Sequence, residues 1–106
     1  MKKMQSIFSM NLRYNRLINS YTQRYMAEML SLTRSGYAKW ELGAGEPAME
    51  QVPRIANVLG IDISALFDET MTEERVLKAE EEMEEAARRE RIERLGEKAY
   101  QVVVAR

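Results

Sequence analysis

Residues 22–41 constrain this chain more than any other stretch. Met26, Met29 and Leu30 recur at intervals of three and four, with the small Ala27 beside them. That spacing predicts a helix over residues 22–30 with one apolar side. Thr22 can cap its start, and Ser20 with Gln23 is an alternative capping box. Ser31, Leu32 and Thr33 make a tight turn, and Thr33 is a good N-cap for a further helix over residues 34–41. There Tyr37 and Trp40 lie three apart and face a core, whereas Arg34, Ser35, Ala38 and Lys39 face elsewhere. At this spacing Tyr37 and Trp40 read as core side chains rather than as stacking platforms.

Helical patterns flank this pair. A first helix is expected over residues 6–19, where Phe8, Leu12 and Ile18 form a partial apolar stripe with Tyr14 and Leu17 beside it. Tyr14 and Tyr25 are open between surface and core. Residues 43–47, with Gly43, Gly45 and Pro47, stop the third helix. Another helix follows over 50–59, with Val52, Ile55, Val58 and Leu59 on its apolar side. Pro53 is tolerated there only near the first turn, and Gly60 ends the helix. A short helix at 64–67, capped by Asp62 or Ser64, completes this part.

Composition narrows the functional classes. The 106 residues contain no Cys and no His. Thiolate metal sites, disulfides and the commonest acid–base catalyst are therefore excluded. No nucleophile constellation stands out, so neither an enzyme nor a cofactor or metal is expected. No apolar run approaches the roughly 20 residues of a membrane helix, and Met1, Lys2 and Lys3 lead into no sustained apolar region. The expected location is the cytoplasm. Net charge is −1, but unevenly distributed: residues 1–67 hold 8 basic and 5 acidic side chains, and residues 68–106 hold 8 and 12. A nucleic acid would be met by the first part.

Beyond Phe67 the chain becomes rich in Glu, Arg and Ala. Glu74/Lys78, Glu84/Arg88, Glu85/Arg89 and Glu90/Arg94 are i,i+4 pairs in the favourable order, and they predict one long solvated helix over residues 72–95. Gly96 is expected to end it. Residues 100–104, with three consecutive Val, are expected to form a strand or a docking tail. The expected division is a domain at 6–68 and a helical extension at 69–106. Three roles stand for the extension: solvated helix, dimerisation through Val76, Met83, Ala87, Ile92 and Leu95, or binding of another protein through 72–106. The Glu cluster at 81–85 does not wrap a cation as a calcium loop does.

Over residues 8–67 the chain resembles the lambda-repressor-like, xenobiotic-response-element type of helix-turn-helix family. The matching residues are Leu12-Arg13, Thr22-Gln23, the run from Ala27 to Leu30, Thr33-Arg34-Ser35, Lys39-Trp40-Glu41 with Gly43, Pro47, Ile55-Ala56, Leu59-Gly60 and Leu66-Phe67. The resemblance implies an all-α, compact five-helix domain that usually binds operator DNA as a dimer. The pattern is departed from at four places. Ser31 holds a turn position often given to Gly. Gly36 lies inside the third helix, at a cost of roughly 1 kcal/mol against Ala. Tyr37 fills a slot usually aliphatic, and Asn15 stands where the first helix is often apolar.

Chemistry agrees with the resemblance. Two short helices joined by a tight turn can set the second in the major groove of DNA. Gln23 can hydrogen-bond a phosphate. Thr33, Arg34, Ser35 and Lys39 project from the start and outer face of the third helix, with Arg34 suited to bidentate contact with guanine. Arg13, Arg16 and Arg24 would add phosphate affinity. Glu41 reads as a structural ion pair or hydrogen bond. The expectation is a sequence-specific DNA-binding transcriptional regulator, a repressor of bacterial or phage type, acting as a homodimer on double-stranded DNA without membrane contact. The alternative is an antitoxin or other interaction module that uses its extension, with DNA binding secondary.

Overall fold

Ser6 opens the first helix by accepting the Ser9 N–H on its hydroxyl at 3.0 Å, and α1 then runs Ile7–Ile18. The structure is a computed structural model that describes residues 6–104, with side chains to residue 97. The chain start at residues 1–5 and the final Ala105 and Arg106 lie outside the described residues. Four further helices follow: α2 (Gln23–Met29), α3 (Arg34–Leu42), α4 (Gln51–Leu59) and α5 (Glu73–Val104). A 3-10 helix at Ile63–Phe67 precedes α5, where the sequence predicts a short helix. The described residues contain no strand.

Local signals set most boundaries. Thr22, rather than Ser20, caps α2, its hydroxyl accepting the Tyr25 N–H at 2.9 Å. Between α2 and α3 the Leu32 N–H reaches the Ala27 carbonyl at 2.8 Å and the Ser31 N–H reaches Glu28 at 3.2 Å. This doubly bonded reversal satisfies carbonyls that a helix end leaves open, and it requires a left-handed residue, here Ser31 at φ 57°. Gly43 and Gly60 end α3 and α4 at φ 74° and 68°. A side chain in that region costs roughly 1–2 kcal/mol, offset by the extra freedom glycine has in the unfolded chain, about 0.4–1 kcal/mol. Ser31→Gly is therefore expected to stabilise the fold by about 0.5–1 kcal/mol, read as a higher urea midpoint. An unchanged or lower midpoint would count against strain at this turn.

Two apolar clusters lie on opposite sides of α1. The larger joins Leu12, Met26, Ala27, Leu30, Tyr37, Ile55, Ala56, Leu59 and Leu66, with Trp40 packed beside it. Tyr37 is wholly buried and meets Trp40 edge-on at 6.2 Å. Met29, expected inside, is half exposed because its place on α2 lies outside the arc of Met26, Ala27 and Leu30. Ile18 is likewise exposed, and α1 buries the polar residues Ser9, Asn11, Asn15 and Arg16. Packing on both sides explains this weak stripe. Asn11 donates to the carbonyls of Ile7 and Asp68, both at 2.9 Å, and Asn15 donates to Asn11 at 2.8 Å.

The second cluster is made with α5. Met71, Val76 and Ala79 bury themselves against Leu17, with Met10, Tyr14 and Met83 around them. Arg75 also lies over the Tyr14 ring at 5.1 Å. The packed body thus runs past Asp68, through the first turns of α5. Val76 is fully buried there, which removes it from the expected dimer face. Over residues 84–97 the helix is solvated, supported by local pairs such as Glu85–Arg89 at 2.8 Å. Gly96 does not end α5, and residues 100–104, expected to form a strand or a docking tail, are helix. One glycine in a solvated helix costs about 1 kcal/mol, too little to stop a helix already propagating through Glu, Lys and Ala.

Candidate nucleic-acid interface

Glu41, near the end of α3, fixes that helix to its neighbours. Its carboxylate is buried and accepts Arg16 Nε at 2.6 Å, Arg16 Nη2 at 3.0 Å and Gln23 Nε2 at 3.1 Å. Arg16 Nη1 donates in turn to the Tyr21 carbonyl at 2.9 Å. One carboxylate therefore ties α1, α2 and α3 together. Burial works against the Arg16 charge, but the Glu41 carboxylate outweighs it and raises the guanidinium above its ordinary value. Burial, with the Glu41 charge nearby, pushes the Tyr37 hydroxyl far upward, so it stays neutral. With Tyr37 and Glu41 turned inward, the opposite face of α3 is held toward solvent.

That outer face carries Arg34, Ser35 and Lys39, all exposed. Among the described residues no carboxylate pairs with Arg34 or Lys39. Thr33 caps α3, its hydroxyl accepting the Gly36 N–H at 3.1 Å and lying 3.4 Å from Ser35 Oγ. A Cβ on residue 36 would sit 3.0 Å from that same Thr33 oxygen. Gly36 thus leaves room for the cap in the first turn of α3.

Beside α3 lies a cleft of about 630 Å³, on whose walls Arg13, Gln23, Arg24 and Arg34 meet. The expected residues divide accordingly. Arg34 belongs to both the outer face and the cleft, whereas Thr33, Ser35 and Lys39 do not line the cleft. Gln23 lies in the cleft with its amide already on Glu41. Arg24 is exposed and pairs with Glu28 at 3.2 Å. Arg16 corrects the sequence expectation: its guanidinium is interior and committed to Glu41 and Tyr21, so it is a structural residue rather than a phosphate-binding cation. Arg13 is engaged by Glu80 of α5, which also lines the cleft. Sequence reading missed Glu80 entirely, because no local pattern links positions 67 residues apart.

Two short helices locked at a fixed angle, the second presenting a bare polar face, define a helix-turn-helix fold. The chain belongs to the helix-turn-helix family, whose model matches residues 12–66. It is 34% identical over 64 residues to the SPbeta prophage-derived uncharacterized HTH-type transcriptional regulator YonR of Bacillus subtilis (strain 168), covering 60% of this chain and 59% of that protein. It is 36% identical over 61 residues to the uncharacterized HTH-type transcriptional regulator YqaE of the same organism, covering 58% of this chain and 53% of the relative. It is 38% identical over 53 residues to the cryptic phage CTXphi transcriptional repressor RstR of Vibrio cholerae serotype O1, covering 50% and 47%. The chain thus spans between 47% and 59% of the length of these relatives. No solved structure matches it significantly. Among the described residues no helix is long and apolar enough to cross a membrane, and no group of three or more acidic side chains is placed to hold a metal ion.

Proposed function

We propose that this protein is a sequence-specific DNA-binding transcriptional regulator, a repressor of bacterial or phage type, that reads operator DNA by laying α3 in the major groove. The observation that carries this reading is the division of α3 into a locked inner face, Tyr37 and Glu41, and an outer face of Arg34, Ser35 and Lys39 that the fold does not use. The names of the relatives support it. Arg34 reads a guanine edge, Ser35 and Lys39 contact bases or nearby phosphates, and Thr33 orients the start of the helix. Gln23, Arg24 and Arg13 contribute phosphate contacts from the adjoining cleft.

Operator occupancy by a homodimer would place two α3 helices in successive major grooves about one DNA turn apart. Self-association uses the solvated part of α5, where Ile92 and Leu95 are 68% and 61% exposed. The test is selection of binding sites from genomic DNA, followed by salt titration of the selected duplex. Arg34→Ala is expected to weaken operator binding by about 1–3 kcal/mol, roughly 5- to 150-fold, with relaxed preference at one base position. Weak wild-type binding that ignores sequence would overturn the reading.

A further inference from the structure

The acidic block of α5 begins against the cleft in which Arg13, Gln23, Arg24 and Arg34 meet. Glu80 opens that block and closes an ion pair with Arg13, the two side chains 36% and 24% exposed. Among the cleft's guanidinium groups, Arg16 is consumed by Glu41, and Arg24 pairs with Glu28 on its own helix. Arg13 is the one whose partner comes from α5. A carboxylate on a guanidinium makes the same charge-assisted contact as a phosphate oxygen.

We propose that Glu80 is an intramolecular stand-in for a DNA phosphate at Arg13, so that the DNA backbone and α5 compete for one guanidinium. This rests on the DNA-binding reading of the cleft. While Glu80 holds Arg13, the complex forms with one phosphate contact fewer; when the acidic block is drawn away, Arg13 passes to the backbone and α5 loses one of its ties to α1. By linkage, a ligand or partner that draws the acidic block away raises DNA affinity, and DNA in turn eases that partner's access to α5. Glu80 thereby sets how many phosphates the protein engages and couples the DNA face to the root of α5.

Glu80→Gln keeps shape and removes the charge. With the full chain on a selected duplex and on an unrelated duplex, the salt dependence of Glu80→Gln is expected to steepen by about 0.9 in log K against log[salt]. Between 50 and 200 mM salt that is an additional fall of about 3.5-fold, with tighter binding at the low-salt end. Two controls separate this competition from general repulsion. Glu81→Gln removes a charge from the next residue, which is exposed, and should leave the slope unchanged. Glu80→Gln in an Arg13→Gln background should give no gain. Thermal melting checks that each variant is folded, and Arg13→Met, which also removes the charge, substitutes as the background if Arg13→Gln is not. An unchanged slope for Glu80→Gln, an equal effect of Glu81→Gln, or a gain that persists without Arg13 overturns the inference while leaving DNA binding intact. Failure of the wild-type chain to bind any duplex overturns both.

Discussion

Glu41→Ala is expected to lower folding stability by about 3–5 kcal/mol, measured by urea denaturation. The magnitude follows from what remains. Arg16 keeps its charge in an interior position, and Gln23 loses its acceptor. An unpaired buried charge is far costlier than a missing pair, so Arg16→Met with Glu41→Leu should recover most of the loss. A loss under about 1 kcal/mol for Glu41→Ala would show that the pair is solvated and that α3 is held by packing alone. The recovered double variant is informative for function too. It keeps the fold but lacks the carboxylate that joins three helices, so its operator affinity should fall even though its stability does not.

Ending the chain after Glu69 is expected to have a comparable effect. It removes Met71, Val76 and Ala79, all buried against α1. Burial of the Met and Val side chains contributes about 1.5–3 kcal/mol each, so the cut removes roughly 3–6 kcal/mol. A body of about 70 residues has only about 3.5–10 kcal/mol in total. The shortened chain should therefore show a broad, early thermal transition by circular dichroism. Ending after Glu85 retains all of these contacts and should shift the melting temperature by only a few degrees. In light scattering that longer version should be monomeric while the full chain is dimeric. A monomeric full chain would remove the dimer role of α5, and a full chain dimeric only with a second protein would favour the interaction-module reading. A version ending after Glu69 that melts as sharply as the full chain would mean that the second cluster contributes little.

The features legible in the sequence are those set by neighbours a few residues away. The Thr33 cap, the left-handed Ser31, and the glycine stops at 43 and 60 each follow from one turn of backbone, and the structure has them in place. Tyr37 was legible because its spacing from Trp40 allowed few other faces. What escaped was decided by distant partners. Arg13 and Arg16 look alike on a sequence, yet one meets Glu80 at the surface and the other meets Glu41 inside. Whether an arginine is a ligand-binding cation or a structural one depends on which carboxylate the fold brings to it. Val76 and Met83 suggested a seam for a second chain because α1, their actual partner at the root of α5, lies some 60 residues earlier. The contact residues assigned to Arg34, Ser35 and Lys39 rest on exposure and chemistry, and operator binding by their variants is what tests them.

The length of α5 has a mechanical consequence. About 20 residues of helix extend past Met83, roughly 30 Å at about 1.5 Å per residue, from a root gripped within its first few turns. Such an arm magnifies whatever happens at its base. A tilt of about 10° at the root sweeps the tip through about 5 Å, as much as the pitch of one helical turn. A change at the root too small to disturb the core would thus be large at the far end, where it could decide whether two arms meet.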